Sequence, residues 1–204
     1  MSRWDHEGVW SFWRAGVAGL AFMVLASCAA PPVTMYRLGM PAPLQTVIPL
    51  APQPVVIAID RVSLPDDLDT EDIFVRHGSV LQRSHTGRWA SRLSLGATAL
   101  LTEHLAQSRP DALVTDEPQT TTPSGRVIIN VSRLDISAGQ DAQAGTAVLE
   151  ADWKIIPGNP AAATLRNRTQ ITAIGPVGSD AAVVALTTYV LTRLATAIDI
   201  TRLR

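Results

Sequence analysis

The chain has 204 residues, 47% of them apolar, and its 17 basic and 18 acidic side chains leave a net charge of −1. A near-neutral surface has no general attraction to nucleic acid or anionic lipid. A single cysteine, Cys28, excludes an internal disulfide and a cluster of thiolate metal ligands, so stability has to come from core packing.

At the start of the chain, Arg3 and Arg14 form a weakly positive segment, diluted by Asp5 and Glu7. Ala15 to Ala26 is apolar, but at roughly a dozen residues it falls short of the ~20 that span a bilayer and matches a secretory signal. It runs into Leu25-Ala26-Ser27-Cys28, the small-residue pattern at which lipoprotein maturation attaches diacylglycerol to sulfur, cleaves, and acylates the new amine. Residues 1–27 are therefore expected to be a signal peptide and Cys28 a lipidation site. Ala29 stands where an aspartate would retain such a protein at the inner membrane, which favours the outer membrane, with the domain facing the periplasm.

Between Cys28 and Val55 lie half of the chain's 14 prolines. A segment of this kind cannot hold a helix and extends at ~3.1 Å per residue, so residues 28–54 read as a tether. Within it Met35 to Leu38 is a candidate first strand. The folded domain is expected over residues 55–204, beginning with the β-branched strand Val55 to Val62. Ser63 to Leu68 turns the chain, because Pro65 cannot continue a central strand. Ile73–Arg76 and Ser79–Arg83 read as short strands joined near Gly78.

Arg88-Trp89 is expected to open a helix whose apolar face carries Leu93, Ala97, Leu100 and His104, ended by Pro110. Leu113 to Thr115 is a short strand, and a polar loop follows to Gly125. Three longer strands cover Arg126–Ile136, Thr146–Ile156 and Leu165–Ile174. In the first, Val127, Ile129, Val131 and Arg133 are expected on one face; in the second, Ala147, Leu149, Ala151 and Trp153. A last helix, capped by Ser179 or Asp180, carries Val183, Leu186, Val190, Leu194 and Ile198 inward to about Ile200. This order predicts an α/β domain: a mixed, largely antiparallel sheet covered by two main helices.

No catalytic constellation stands out. His77 and His85 lack a ligand motif, and His104 on an apolar helix face reads as a hydrogen-bonded core histidine. Asp66, Asp67, Asp69, Glu71 and Asp72 offer oxygen ligands without EF-hand spacing, and read as a solvated acidic turn. Neither a metal nor a cofactor is expected, and the chain has no phosphate-cradling glycine loop. Two features are candidate partner contacts. Leu64, Pro65 and Leu68 place apolar side chains on a turn, where they either meet a partner or close the sheet edge. Arg88 and Trp89 are an anchor pair of the kind enriched at interfaces, or a core tryptophan beside a solvated arginine.

Taken in order, the Cys28 motif, Tyr36-Arg37-Leu38, the Val55–Val62 strand with Ser63-Leu64-Pro65-Asp66-Asp67-Leu68, Ile73-Phe74-Val75-Arg76, Arg88-Trp89-Ala90 with Leu93, and Leu149-x-Ala151-x-Trp153 resemble the ABC-type transport auxiliary lipoprotein family, of the paraquat-inducible C type. The resemblance covers the whole chain after Cys28. The chain departs from it at Asp66-Asp67, where an aromatic is usual, and at Ser91-Arg92, where an acidic-proline pair is usual. It implies a fold similar to the TolB amino-terminal domain and a non-catalytic role beside a protein with mammalian-cell-entry domains, an ABC permease and an ATPase. It further implies lipid movement between two membranes and self-assembly of the lipoprotein into a homo-oligomer. The competing readings are a periplasmic lipid-binding carrier and an envelope hydrolase.

Overall fold

In the computed structural model of the protein, the described residues are 32–39 and 50–203. The signal segment 1–27, the expected lipidation site Cys28 and most of the Pro-rich stretch lie outside them. Among the described residues, eight strands and two helices follow one another: β1 (Thr34–Tyr36), β2 (Val56–Ile59), β3 (Asp72–His77), β4 (Val80–Trp89), α1 (Leu93–Ser108), β5 (Leu113–Thr115), β6 (Gly125–Ala138), β7 (Ala144–Pro157), β8 (Leu165–Pro176) and α2 (Asp180–Ala197). The compact unit that carries them is Val33–Arg204, so β1 and the buried Leu38 belong to it although they fall in the stretch expected to be a tether.

The strands form one mixed sheet, and its long ladders, β6–β7 and β7–β8, are antiparallel, as is the β3–β4 hairpin. The pairings of β1 with β4, β2 with β5, and β6 with both β2 and β3 are parallel and short. β7 occupies one edge of β6 along its length, from Gly125↔Pro157 to Ala138↔Gly145. The other edge is divided: β2 pairs near Gly125–Val127 and β3 only at Ser137.

Alternation places Ala147, Leu149, Ala151, Trp153 and Ile155 of β7 in the core with Val127, Ile129 and Val131 of β6. Leu93, Ala97, Leu100, Leu101 and Leu105 of α1 and Val183, Leu186, Val190, Leu191 and Leu194 of α2 complete it. The opposite sheet face is polar, with Arg126, Asn130, Arg166, Arg168 and Gln170 exposed. His104 of α1 meets Thr192 of α2 through Nε2 and Oγ1 at 3.2 Å, the hydrogen-bonded histidine the sequence suggested. Ser179 caps α2, its Oγ accepting from the Ala182 amide.

Two expectations are corrected. Arg88 and Trp89 do not open a helix but end β4, because Trp89 N–H donates to Glu71 O and Ala90 N–H to Tyr36 O, each at 2.7 Å. Backbone paired on both sides stays extended, and α1 starts only at Leu93. In β6, Arg133 does not share the inward face of Val131. A β-bulge between Val131 and Arg133 shifts the phase by one residue, so Leu134 and Ile136 are buried and Arg133 is exposed.

The C-terminal segment buries Ile198, Ile200 and Leu203 in the core and is also held by the buried Arg109. Arg109 directs Nη1 to the carbonyls of Ile200 (3.0 Å) and Leu203 (2.9 Å), while Nε and Nη2 bind both oxygens of Asp111 at 2.8 and 2.9 Å. Hydrogen bonds from a charged donor to buried carbonyls are strong, so Arg109→Ala should destabilise the fold by ~3 kcal/mol in chemical denaturation. Arg109→Lys should recover only part of this, since an ammonium cannot reproduce the fork.

Candidate functional site

The divided edge of β6 creates the site. The chain follows β6 as far as Ser63, whose N–H donates to Ile129 O at 3.1 Å and whose C=O accepts from Val131 N at 2.9 Å. It then leaves the sheet through a turn closed by Leu68 N and Asp69 N on Pro65 O, and rejoins β6 only through β3. Opposite this gap stands the bulge of β6. A groove of about 250 Å³ results, walled by Pro65 and Leu68 of the turn, Phe74 of β3 and Leu81 of β4. Trp89, Leu93 and Val183 form its buried floor, and Ser132 to Ile136 the β6 side.

Ion pairs hold each wall. Arg76 Nε binds Asp135 Oδ1 at 2.7 Å, and Arg133 reaches Asp135 Oδ2 and Glu150 Oε1, both at 3.3 Å. The hydrogen bond to Asp135 raises the pKa of the Arg133 guanidinium, which is charged throughout. Asp72 is shared by Arg88 (3.0 Å) and Arg83 (3.6 Å). Asp69 joins the turn to α1. Arg92 at the helix start offers no side-chain cap, and Asp69 Oδ1 accepts from Ser94 N at 3.0 Å instead. Arg61 donates to Ser94 Oγ at 2.7 Å, and it and Arg92 flank the Asp69 carboxylate at 3.5 and 3.6 Å.

Partial burial raises the pKa of Asp69, but hydrogen bonds from Ser94 and the charges of Arg61 and Arg92 outweigh it and leave the pKa lowered. A carboxylate with a lowered folded-state pKa stabilises the fold fully above its unfolded value, near pH 4, and loses that contribution as pH falls through the folded value. Asp69→Ala should therefore cost about 1–2 kcal/mol at neutral pH, as a lost helix cap does. The difference from wild type should shrink in denaturation curves taken below about pH 4. A difference that persists undiminished in acid would assign the effect to packing.

The five partner contacts suggested by the sequence are only partly brought together. Pro65, Leu68 and Trp89 line the groove, but Trp89 is 5% exposed and belongs to the core. Leu64 packs against the core beside the turn, and Arg88 is committed to Asp72. The acidic turn divides likewise: Asp66 and Asp67 are exposed, whereas Asp69 and Asp72 are structural. Phe74, Leu81, Arg133 and Asp135 were missed. For Arg133 and Asp135 the signal is the break in alternation at Ser132-Arg133, two polar residues in succession inside an apolar-polar strand, whereas Phe74 and Leu81 carry no such signal. Among the described residues no group of three or more His, Cys, Asp or Glu side chains could hold a metal ion, and no helix is long and apolar enough to cross a membrane.

The fold is a two-layer α/β module, and its groove has apolar walls between ion-paired edges. The model of the ABC-type transport auxiliary lipoprotein component family matches residues 36–199, and the chain belongs to this family. No curated protein matches it by sequence. Among solved structures, an uncharacterized protein superimposes with a TM-score of 0.62 at 13% identity, covering 81% of this chain and 95% of the other. Protein XCC0632 from Xanthomonas campestris superimposes with a TM-score of 0.58 at 20% identity, covering 80% and 91%. At these identities the likeness is one of fold.

Proposed function

We propose that the protein is a non-catalytic lipoprotein subunit of an ABC-type lipid transport system. Acyl chains on Cys28 would anchor it to the outer membrane facing the periplasm, where it docks a conduit built from a mammalian-cell-entry-domain protein. The permease and ATPase would lie at the other end of that conduit and supply the energy. The observation that carries this reading is the family match, which spans nearly all of the folded unit. The lipidation motif and the ion-pair-walled groove agree with a tethered docking module.

A lipid-binding carrier is the weaker reading. The groove over the core holds about 250 Å³, below the ~300–1,000 Å³ of pockets that bury a small ligand, and the larger recesses among the described residues, of about 520 and 640 Å³, are lined by charged side chains such as Arg83 and Asp180 or Arg166 and Arg168.

The test is recovery of partners. Affinity purification of the full-length chain at native expression, from detergent-solubilised envelopes, should retrieve a mammalian-cell-entry-domain protein, with the permease and ATPase in substoichiometric amounts. Its repeated absence, with the chain itself recovered intact, would overturn the adaptor reading. Fractionation on a density gradient should place the chain with outer-membrane markers.

A further inference from the structure

We infer that the groove between the 64–71 turn and the β6 bulge receives one bulky apolar side chain of a partner polypeptide, flanked by a lysine or arginine. The inference rests on the docking role proposed above and names the chemistry of the docked segment.

Shape and lining supply the first half of the argument. At about 250 Å³ the groove exceeds the ~150 Å³ that admits a benzene-sized ligand in an apolar cavity. Its floor is Trp89, Leu93 and Val183, each buried, and Phe74 and Leu81 stand at its mouth. An apolar side chain entering here removes its surface from water against a preformed wall, the arrangement of an interface anchor. The floor is reached only because β2 and β3 do not meet along β6.

Charge supplies the second half. Six arginines around the groove share four carboxylates: Arg76 and Arg133 meet Asp135, Arg133 also meets Glu150, Arg83 and Arg88 meet Asp72, and Arg61 and Arg92 meet Asp69. Asp66, Asp67 and Glu71, on the same turn, are exposed and form no ion pair among the described residues. With these three, seven carboxylates outnumber the six arginines by one, and the unpaired acids all lie on the turn, so the complementary partner there is cationic. The same carboxylates disfavour a phospholipid, whose phosphate would be brought against them. The geometry points to a polypeptide anchor rather than an acyl chain.

The test places the photo-crosslinker p-benzoylphenylalanine at position 81, in place of the part-exposed Leu81, in the full-length chain in its own envelope. Irradiation should yield an adduct to a polypeptide. Sequencing the joined peptide should show a large apolar residue within two positions of a lysine or arginine. Adduct yield should fall about fivefold or more when Asp66→Lys and Asp67→Lys are combined. It should fall similarly when Ser132→Trp plugs the groove from the bulge, while Thr172→Lys on the open sheet face leaves it unchanged. An adduct to lipid, a joined peptide without a cation, or no adduct although the mammalian-cell-entry protein still co-purifies would each overturn the inference and leave the adaptor reading standing. Loss of that co-purification from the wild-type chain would instead remove the adaptor reading itself.

Discussion

Trp153→Ala should destabilise the folded unit by about 3–5 kcal/mol, the cost of truncating a large buried aromatic side chain. Trp153 lies in β7, between Ile129 of β6 and Asn167 of β8, with 7% of its surface exposed. Its neighbours in the same row, Ala151 and Ile155, are almost fully buried, so the cavity left by the indole cannot fill with water without exposing them. The indole N–H also donates to Thr169 Oγ1 at 3.0 Å. That bond is the smaller part: Trp153→Phe keeps most of the packing, loses the donor, and should cost about 1 kcal/mol beyond the change in volume. Equilibrium urea denaturation of both variants separates the two contributions. In a unit of this size the alanine variant should melt roughly 10 °C lower. A loss below about 1 kcal/mol for Trp153→Ala would mean that the ring does not fill the core between the sheet and its helices.

Cys28→Ala should leave the domain folded and abolish acyl-dependent membrane retention. Each methylene buried in a bilayer contributes ~0.8 kcal/mol; one acyl chain anchors marginally, whereas two or more hold stably. The near-neutral domain offers no electrostatic substitute for that anchor. The wild-type chain should incorporate labelled palmitate, yield an N-terminal peptide that begins at Cys28 and carries acyl mass, and remain with alkali-washed membranes. The variant should incorporate no palmitate and appear in the wash, with unchanged circular dichroism. A variant that stays with washed membranes would show that something other than acyl chains holds it there. An unmodified thiol in the exported wild-type protein would remove the proposed address.

Much of the architecture was legible along the chain because it depends on neighbours. Strict alternation from Gly145 to Ile155 describes β7, and the three- and four-residue spacing of Val183, Leu186, Val190 and Leu194 describes α2, with Ser179 as its cap. The turn at Pro65 was equally local. The same reasoning failed where a distant strand overruled it. Arg88-Trp89 followed by an apolar helical pattern looks like a helix start until β1 arrives beside β4 and holds Ala90 extended. Only half of the groove could be read for the same reason: Pro65 and Leu68 are adjacent on a turn, but Phe74, Leu81 and Arg133 join them through strand register alone.

Local chemistry thus determined the order of strands and helices and most of the inward-facing rows. Each follows from the sterics and periodicity of residues a few positions apart. Only the tertiary structure decided which face of β6 Arg133 takes, that Asp69 caps α1 by accepting from the amide of Ser94, 25 residues later, and that Arg109 holds the carbonyl of Leu203, 94 positions away. Such contacts leave no periodic trace, because chain folding rather than spacing brings the partners together, and the groove beside the β6 bulge is built from contacts of that kind.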